Sequence, residues 1–391
     1  MTTGRIELEK RPYFAIIIAL IWSINLAFTR RIDVNIIICM ALFMASLDFF
    51  GKFRVGITDA FIYVGVFIFW YVVGCELSGA FFISGVVWID YAIGKMLGKE
   101  LIDSPKFCLP ISIAAISIPL AIKGLLNYTY FLTNEITTVW PMWGEPNTGY
   151  PRTQHEFFFV ITVSMIVFWM IYIKEFKWSL LGLVFSVSVL MVALVGKGRV
   201  SSCVAVVTFV LVLILYFIEN KRVINYKNVV IVAVLLVTVF TVLMLCKGRV
   251  YEIVTGVNWA RDGGILHNVR FLLWAEAFRF MIKNPMGNLE VQFVDLSGIK
   301  HDFAHNTWLD AGCFAGIIPF VCLMSFSIVI LIIMFILWKD VNGKEKYALV
   351  AAFLGMTLYC VFEPVLNSNP FYFGAEVLLS GMVMASCDNS N

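Results

Sequence analysis

Apolar runs long enough to cross a lipid bilayer recur from one end of this 391-residue chain to the other. A helix needs about 20 mostly apolar residues to cross the hydrocarbon core. Segments near 13–29, 34–50, 56–75, 79–95, 108–126, 156–173, 178–196, 200–218, 228–246, 311–338, 346–363 and 369–387 fit that length or approach it. In lipid a spanning segment must satisfy its own backbone hydrogen bonds, so such runs become helices. The expectation is an all-α polytopic membrane protein with about twelve transmembrane helices. Composition agrees: 61% of residues are hydrophobic and 14% charged, with a mean hydropathy of +0.89. Soluble domains run near 45–50% apolar and about 25% charged. A soluble globule, a disordered tail, a fibre and a nucleic-acid binder are all excluded.

The net charge of +3 identifies no partner. The nine cysteines fall mostly inside apolar runs without a CxxC pair and read as small buried hydrophobes. The first apolar run follows Lys10 and Arg11 and leads straight into the next, so it reads as a spanning helix rather than a cleaved signal. No repeat is visible, and residues 1–391 form one transmembrane domain. Two connections are long, 127–155 and 247–310. With a cytoplasmic N-terminus, Lys52, Arg54, Lys95, Lys99, Lys174, Lys177, Lys221 and Arg222 fall in short cytoplasmic connections, as the positive-inside rule asks. Arg30 and Arg31 fall on the wrong side. Both termini are then cytoplasmic and both long loops external. All four histidines, 155, 267, 301 and 305, lie in those loops.

The loop 247–310 carries most of the chemistry. A helix is predicted over 267–283, where Phe271, Ala275, Phe278 and Ile282 recur at helical spacing. It stops before Pro285. Arg270 and Arg279 are nine residues apart and point to opposite sides, so they do not share one phosphate. Arg279 follows Glu276 by three residues, which suits a surface ion pair and leaves Arg270 as the functional candidate. The loop ends in HDFAHNTWLDAGCFAG, 301–316. His301 and His305 share a face if this stretch is helical. Two chemistries fit: a zinc site like H-E-x-x-H, weakened by Asp302 in place of Glu and by the lack of a third ligand, or His305 as general base for a sugar hydroxyl. Asn306 would orient the base or the substrate. The loop 127–155 holds Tyr128, Tyr130, Trp140 and Trp143, which stack on sugars or form an interfacial aromatic belt.

At three places the chain resembles the O-antigen polymerase and ligase superfamily of bacterial envelope glycosyltransferases. GKGRVSSCVAVVTF, 196–209, is similar to an Arg-bearing turn entering a span. VRFLLWAEAFRFMIKNPMG, 269–287, looks like the R…W…NP-hG stretch closing the large periplasmic loop. HNTWLDAGCFAG, 305–316, is similar to the His-bearing entry to the next span. The resemblance covers roughly 190–320 and includes the order of the motifs. It implies a GT-C-type, metal-independent enzyme with no cofactor, acting at the periplasmic face of the bacterial inner membrane. The donor would be an undecaprenyl-diphosphate-linked oligosaccharide. By motif position Arg199, Arg270 and His305 become the catalytic candidates. Lys197, beside Arg199, competes with it for the phosphates.

The leaving diphosphate gathers negative charge. The loops hold no DxD-like acidic cluster but many cations: Arg152, Lys197, Arg199, Arg249, Arg261 and Arg270 among them. A guanidinium grips phosphate oxygens in two places, and fixed donors aimed at developing charge lower the barrier. Arg199 and Arg270, helped by Arg249, Arg261 or Lys197, would hold the diphosphate. His305 would deprotonate the acceptor, with Asn306, Asp302 or Asp310 as orienting or substrate-binding groups. Asp302 and Asp310 fit a helix N-terminus equally well. The expected activity is polymerisation of lipid-linked repeat units as donor and acceptor, with membrane lipid and a chain-length regulator as partners. The alternatives are ligation to lipid A–core, or transport of a lipid-linked sugar. A transporter needs ionisable groups along its path. Asp48, Glu76, Asp90, Glu363 and Glu376 are the candidates, and most lie near the ends of expected spans.

Overall fold

The computed structural model describes residues 2–29, 32–51, 54–73, 77–102, 108–119, 269–294, 300–340, 346–363, 365–368 and 370–388, with isolated positions at 104, 122, 204, 207, 208, 211 and 298. The expected spans at 156–173, 178–196 and 228–246, nearly all of 200–218, and the loop 127–155 lie outside the described residues.

Within them the chain is helical apart from one hairpin. The elements are α1 (Thr2–Phe28), α2 (Ile32–Phe50), α3 (Ile57–Val72), α4 (Leu77–Ile102), α5 (Cys108–Pro119), α6 (Val269–Lys283), β1 (Phe293–Val294), β2 (Lys300–His301), α7 (Thr307–Ala315), α8 (Ile317–Asp340), α9 (Lys346–Phe362), α10 (Val365–Ser368) and α11 (Pro370–Asp388). Among the described residues, four stretches are long and apolar enough to cross a membrane: Arg11–Phe28, Asp33–Phe50, Gly79–Ile102 and Ile317–Ile336. Their outer faces stay apolar, as at Ile17, Ile21 and Ile24 on α1 and Ile328, Ile332 and Phe335 on α8. A helix surrounded by hydrocarbon keeps such faces; a soluble protein buries them.

The core is built around α4 and α11, with α1, α2, α3, α8 and α9 packed about them. Glycines set the spacing. A Cβ added at Gly98 would lie 2.5 Å from the Met382 carbonyl oxygen, and Gly94 and Gly381 face the Leu378 and Tyr91 backbones in the same way. Small residues let two membrane helices touch backbone to backbone.

One sequence-based expectation fails here. Lys95 and Lys99 were placed in a cytoplasmic connection, yet α4 runs on to Ile102. The Lys95 side chain is 2% exposed and pairs with Asp59 at 3.0 Å. It also donates to the Arg54 carbonyl at 2.6 Å, while Tyr91 Oη donates to Asp59 at 2.6 Å. Each polar atom of the pair gains a partner, the condition under which a buried ion pair is tolerated. The longer helix moves Asp90 from the expected membrane edge to mid-helix. There it accepts from Trp22 Nε1 at 2.7 Å.

The expected span 311–338 is also corrected: it is two helices, α7 and α8. Gly316 separates them at φ +96°, and Pro319 sits in the first turn of α8. A proline there has no N–H to lose, whereas inside one continuous helix it would collide with the preceding turn. The Ile317 amide turns to the Pro285 carbonyl at 2.9 Å.

Candidate functional site

Helix α6 forms where the 3.6-residue pattern predicts, and ends at the expected Asn284-Pro285. Leu273, Ala277 and Met281 pack against Val291, Phe293, Ala304 and Cys313 in a small core separate from the main one. The turn after α6 is seated on the α7–α8 break. Asn288 N donates to the Cys313 carbonyl at 2.8 Å. A Cβ on Gly287 (φ +79°) would meet the Phe314 carbonyl oxygen at 2.5 Å. The N-P-M-G stretch therefore clamps α6 to the start of α8.

At the other end of α6, Arg270 reaches the C-terminus of α9. Its Nη1 donates to the Phe362 carbonyl, and its Nη2 pairs with Glu363 Oε1 at 3.0 Å. Arg279 points away, 68% exposed, and pairs with Glu276 at 2.8 Å. The two arginines lie on opposite sides of the helix, as their spacing predicts.

His305 approaches the same carboxylate from the other side. Its Nδ1 lies 3.6 Å from Glu363 Oε2. That is longer than a hydrogen bond, and among the described residues Nδ1 has no hydrogen-bond partner. Glu363 thus faces Arg270 with one oxygen and His305 with the other. Burial alone pushes the Glu363 carboxyl up. His305 and the Arg270 guanidinium outweigh that and hold it below its ordinary value.

The backbone around His305 is held just as firmly. His305 has φ +58°, the only positive value on a non-glycine among the described residues. Such a conformation costs on the order of 1–3 kcal/mol and persists only where its surroundings impose it. Asp310, wholly buried, imposes it by accepting from Ala304 N at 2.6 Å and Asn306 N at 2.9 Å. Burial raises the Asp310 carboxyl to about 6, although those two amides pull it down. Asn306 caps α7, accepting from Leu309 N at 3.0 Å, and donates to the Val361 carbonyl at 2.9 Å. Thr307 Oγ1 donates to the Glu363 carbonyl at 2.7 Å and accepts from Val365 N at 3.1 Å. His-Asn-Thr is stitched onto the end of α9.

The structure therefore brings Arg270 and His305 together. Asn306 and Asp310 lie beside them, but both are buried and bond the protein's own backbone, so they position rather than receive a substrate. Asp302 is exposed and accepts from Gln292 Nε2 at 3.5 Å. The helix needed for an H-E-x-x-H arrangement is not formed. His301 lies in strand β2, with its ring 6.4 Å from that of His305. Among the described residues, no three His, Cys, Asp or Glu side chains gather as metal ligands. Lys197, Arg199, Arg249 and Arg261 lie outside the described residues.

Glu363 is the member that sequence reasoning placed among transport carboxylates. Its one local signal was a Glu-Pro pair closing an apolar run. Comparison with protein-family models and with curated proteins finds no match to the chain.

Proposed function

We propose that this chain is a metal-independent membrane glycosyltransferase of the GT-C type. In this reading it polymerises undecaprenyl-diphosphate-linked O-antigen repeat units at the periplasmic face of the bacterial inner membrane. The observation that carries the reading is the carboxylate of Glu363 holding Arg270 and His305 beside each other at the ends of apolar helices. The three motif resemblances add to it.

The chemistry follows from that geometry. Glu363 faces His305 Nδ1, which favours a proton on that nitrogen and leaves Nε2 with its lone pair. Nε2 takes the proton of the acceptor hydroxyl. The oxygen attacks the anomeric carbon, and the carbon–oxygen bond to the diphosphate breaks with inversion. The diphosphate departs with the electron pair and meets the guanidinium of Arg270, whose side chain is still 27% exposed. Arg199 would supply further positive charge.

The test supplies purified protein in nanodiscs with lipid-linked repeat units alone. Longer lipid-linked chains support polymerisation. No product until lipid A–core is added means a ligase. A second reading, transport, is favoured by one observation: Asp90 and Glu376 are buried carboxylates within helices, bonded to Trp22 and Thr357. Movement of labelled lipid-linked sugar across vesicles without bond formation would replace the transferase reading.

A further inference from the structure

Helix α6 has three faces. Leu273, Ala277 and Met281 face the protein. Glu276, Arg279 and Lys283 are exposed and charged. Phe271, Phe278 and Ile282 form a third, apolar face that is also exposed, and Met286 extends it at 81% exposure. At about 100° per residue, this apolar sector is centred well over a quarter-turn from the buried one.

Both ends of α6 are tied to the ends of apolar helices. At the N-terminal end Arg270 holds the C-terminus of α9 at Phe362 and Glu363. At the C-terminal end Pro285 accepts from Ile317, the first residue of the spanning stretch Ile317–Ile336. Helices α8 and α9 follow one another, so the start of the first and the end of the second lie on the same side. A helix fastened to both points runs along the bilayer surface instead of rising from it. Its length, roughly 22 Å at 1.5 Å per residue, suits that course. The Met286 backbone lies against Gly316, the residue before Ile317 and Ile318, where the exposed apolar surface of α8 begins, continuing through Val321.

We propose that α6 is an interfacial helix whose apolar face lies in the phospholipid of the adjacent leaflet, continuous with the lipid-facing surface of α8. Phe271, Phe278, Ile282 and Met286 enter the acyl boundary. Lys283 and Arg279 lie at the level of the headgroup phosphates, the usual division of labour in such a helix. This holds whatever reaction the chain performs.

The test places p-benzoylphenylalanine singly at Phe278, Ile282 and Glu276 in the full chain, reconstituted in phosphatidylglycerol–phosphatidylethanolamine nanodiscs. Irradiation is followed by mass spectrometry of the adducts. Phospholipid adducts at 278 and 282, several-fold more abundant than at 276, are the expected result. Equal labelling at all three positions, adducts at 278 and 282 to a second copy, or adducts to another segment of the same chain would overturn the proposal. Correct folding is read independently: the variants must keep the elution profile and thermal transition of the parent protein.

Discussion

Asp310 fixes His305 without touching its ring, by accepting from the amides on either side of it, 2.6 Å from Ala304 N and 2.9 Å from Asn306 N. The left-handed φ of +58° at His305 is the result. A carboxylate at this point in the first turn of α7 does what a helix-dipole argument allows, and adds a grip on the preceding loop. The imidazole is thereby aimed through the main chain.

His305→Gly should then be more stable than His305→Ala. Glycine adopts the left-handed region without a Cβ penalty, so the gap should be about 1 kcal/mol in favour of glycine. Both variants should lose transfer activity. Thermal unfolding in detergent and the lipid-linked repeat assay check the two halves. An alanine variant at least as stable as the glycine one would mean that the backbone is not held as described.

Replacing Asp310 with Asn keeps the shape but turns one acceptor into a donor. Losing a hydrogen bond to a buried charged group costs about 1.5–3 kcal/mol. The loss should appear as a lower Tm and as faster amide exchange at Ala304 and Asn306, with turnover falling more than substrate binding.

The pH dependence has two opposing parts. Asp310 has its pKa raised from 3.8 to about 6 in the folded protein. Between those values the folded state binds more protons than the unfolded state, so this group's contribution to stability declines as pH rises from about 4 through 6. Glu363 is lowered. Its contribution is present above the ordinary carboxylate range and is lost as pH falls through the folded value. A Tm series from pH 3 to 8 on the parent and on Glu363→Gln separates them: the acid-side loss should shrink in the variant.

Arg270→Lys should behave like Arg270→Ala in transfer, because one ammonium cannot serve the Phe362 carbonyl, Glu363 and a phosphate in the fork geometry of a guanidinium. If Arg270 contacts the departing diphosphate, the loss should approach 2.7–4 kcal/mol of barrier, as is typical for one such donor (~10²-fold or more in rate). Arg279→Ala should change activity little and stability by about 0.2–1 kcal/mol, the range for an exposed pair. Rates and Tm values of the three variants give the comparison.

Local signals carried helix α6 well. The helix over 269–283, its stop at Pro285 and the divergence of Arg270 from Arg279 all follow from a 3.6-residue period and one proline. Asn306, expected to orient the base or the substrate, is instead the N-cap of α7. Glu363 was not legible as a partner of Arg270, because the two are 93 positions apart and only the packing of α6 and α7 onto the end of α9 joins them. Gly316 and Pro319 did announce a break, but hydropathy averaged over a window runs straight across it. Lys95 misled for a similar reason: a lone cation near an apolar run reads as a loop residue unless its counter-charge, Asp59, is known to lie opposite.

The contact of α4 with α11 bears on biogenesis. Helix α4 leaves the ribosome before α11, carrying Asp90, Lys95 and bare glycine faces, and the segment that covers Gly94 and Gly98 follows only after all the intervening segments. Asp90 and Lys95 find Trp22 and Asp59 in the early helices. The glycine groove must instead wait at the translocon or in lipid for Leu378 and Met382. Loss of α11 should therefore yield a chain that inserts but is cleared by quality-control proteases.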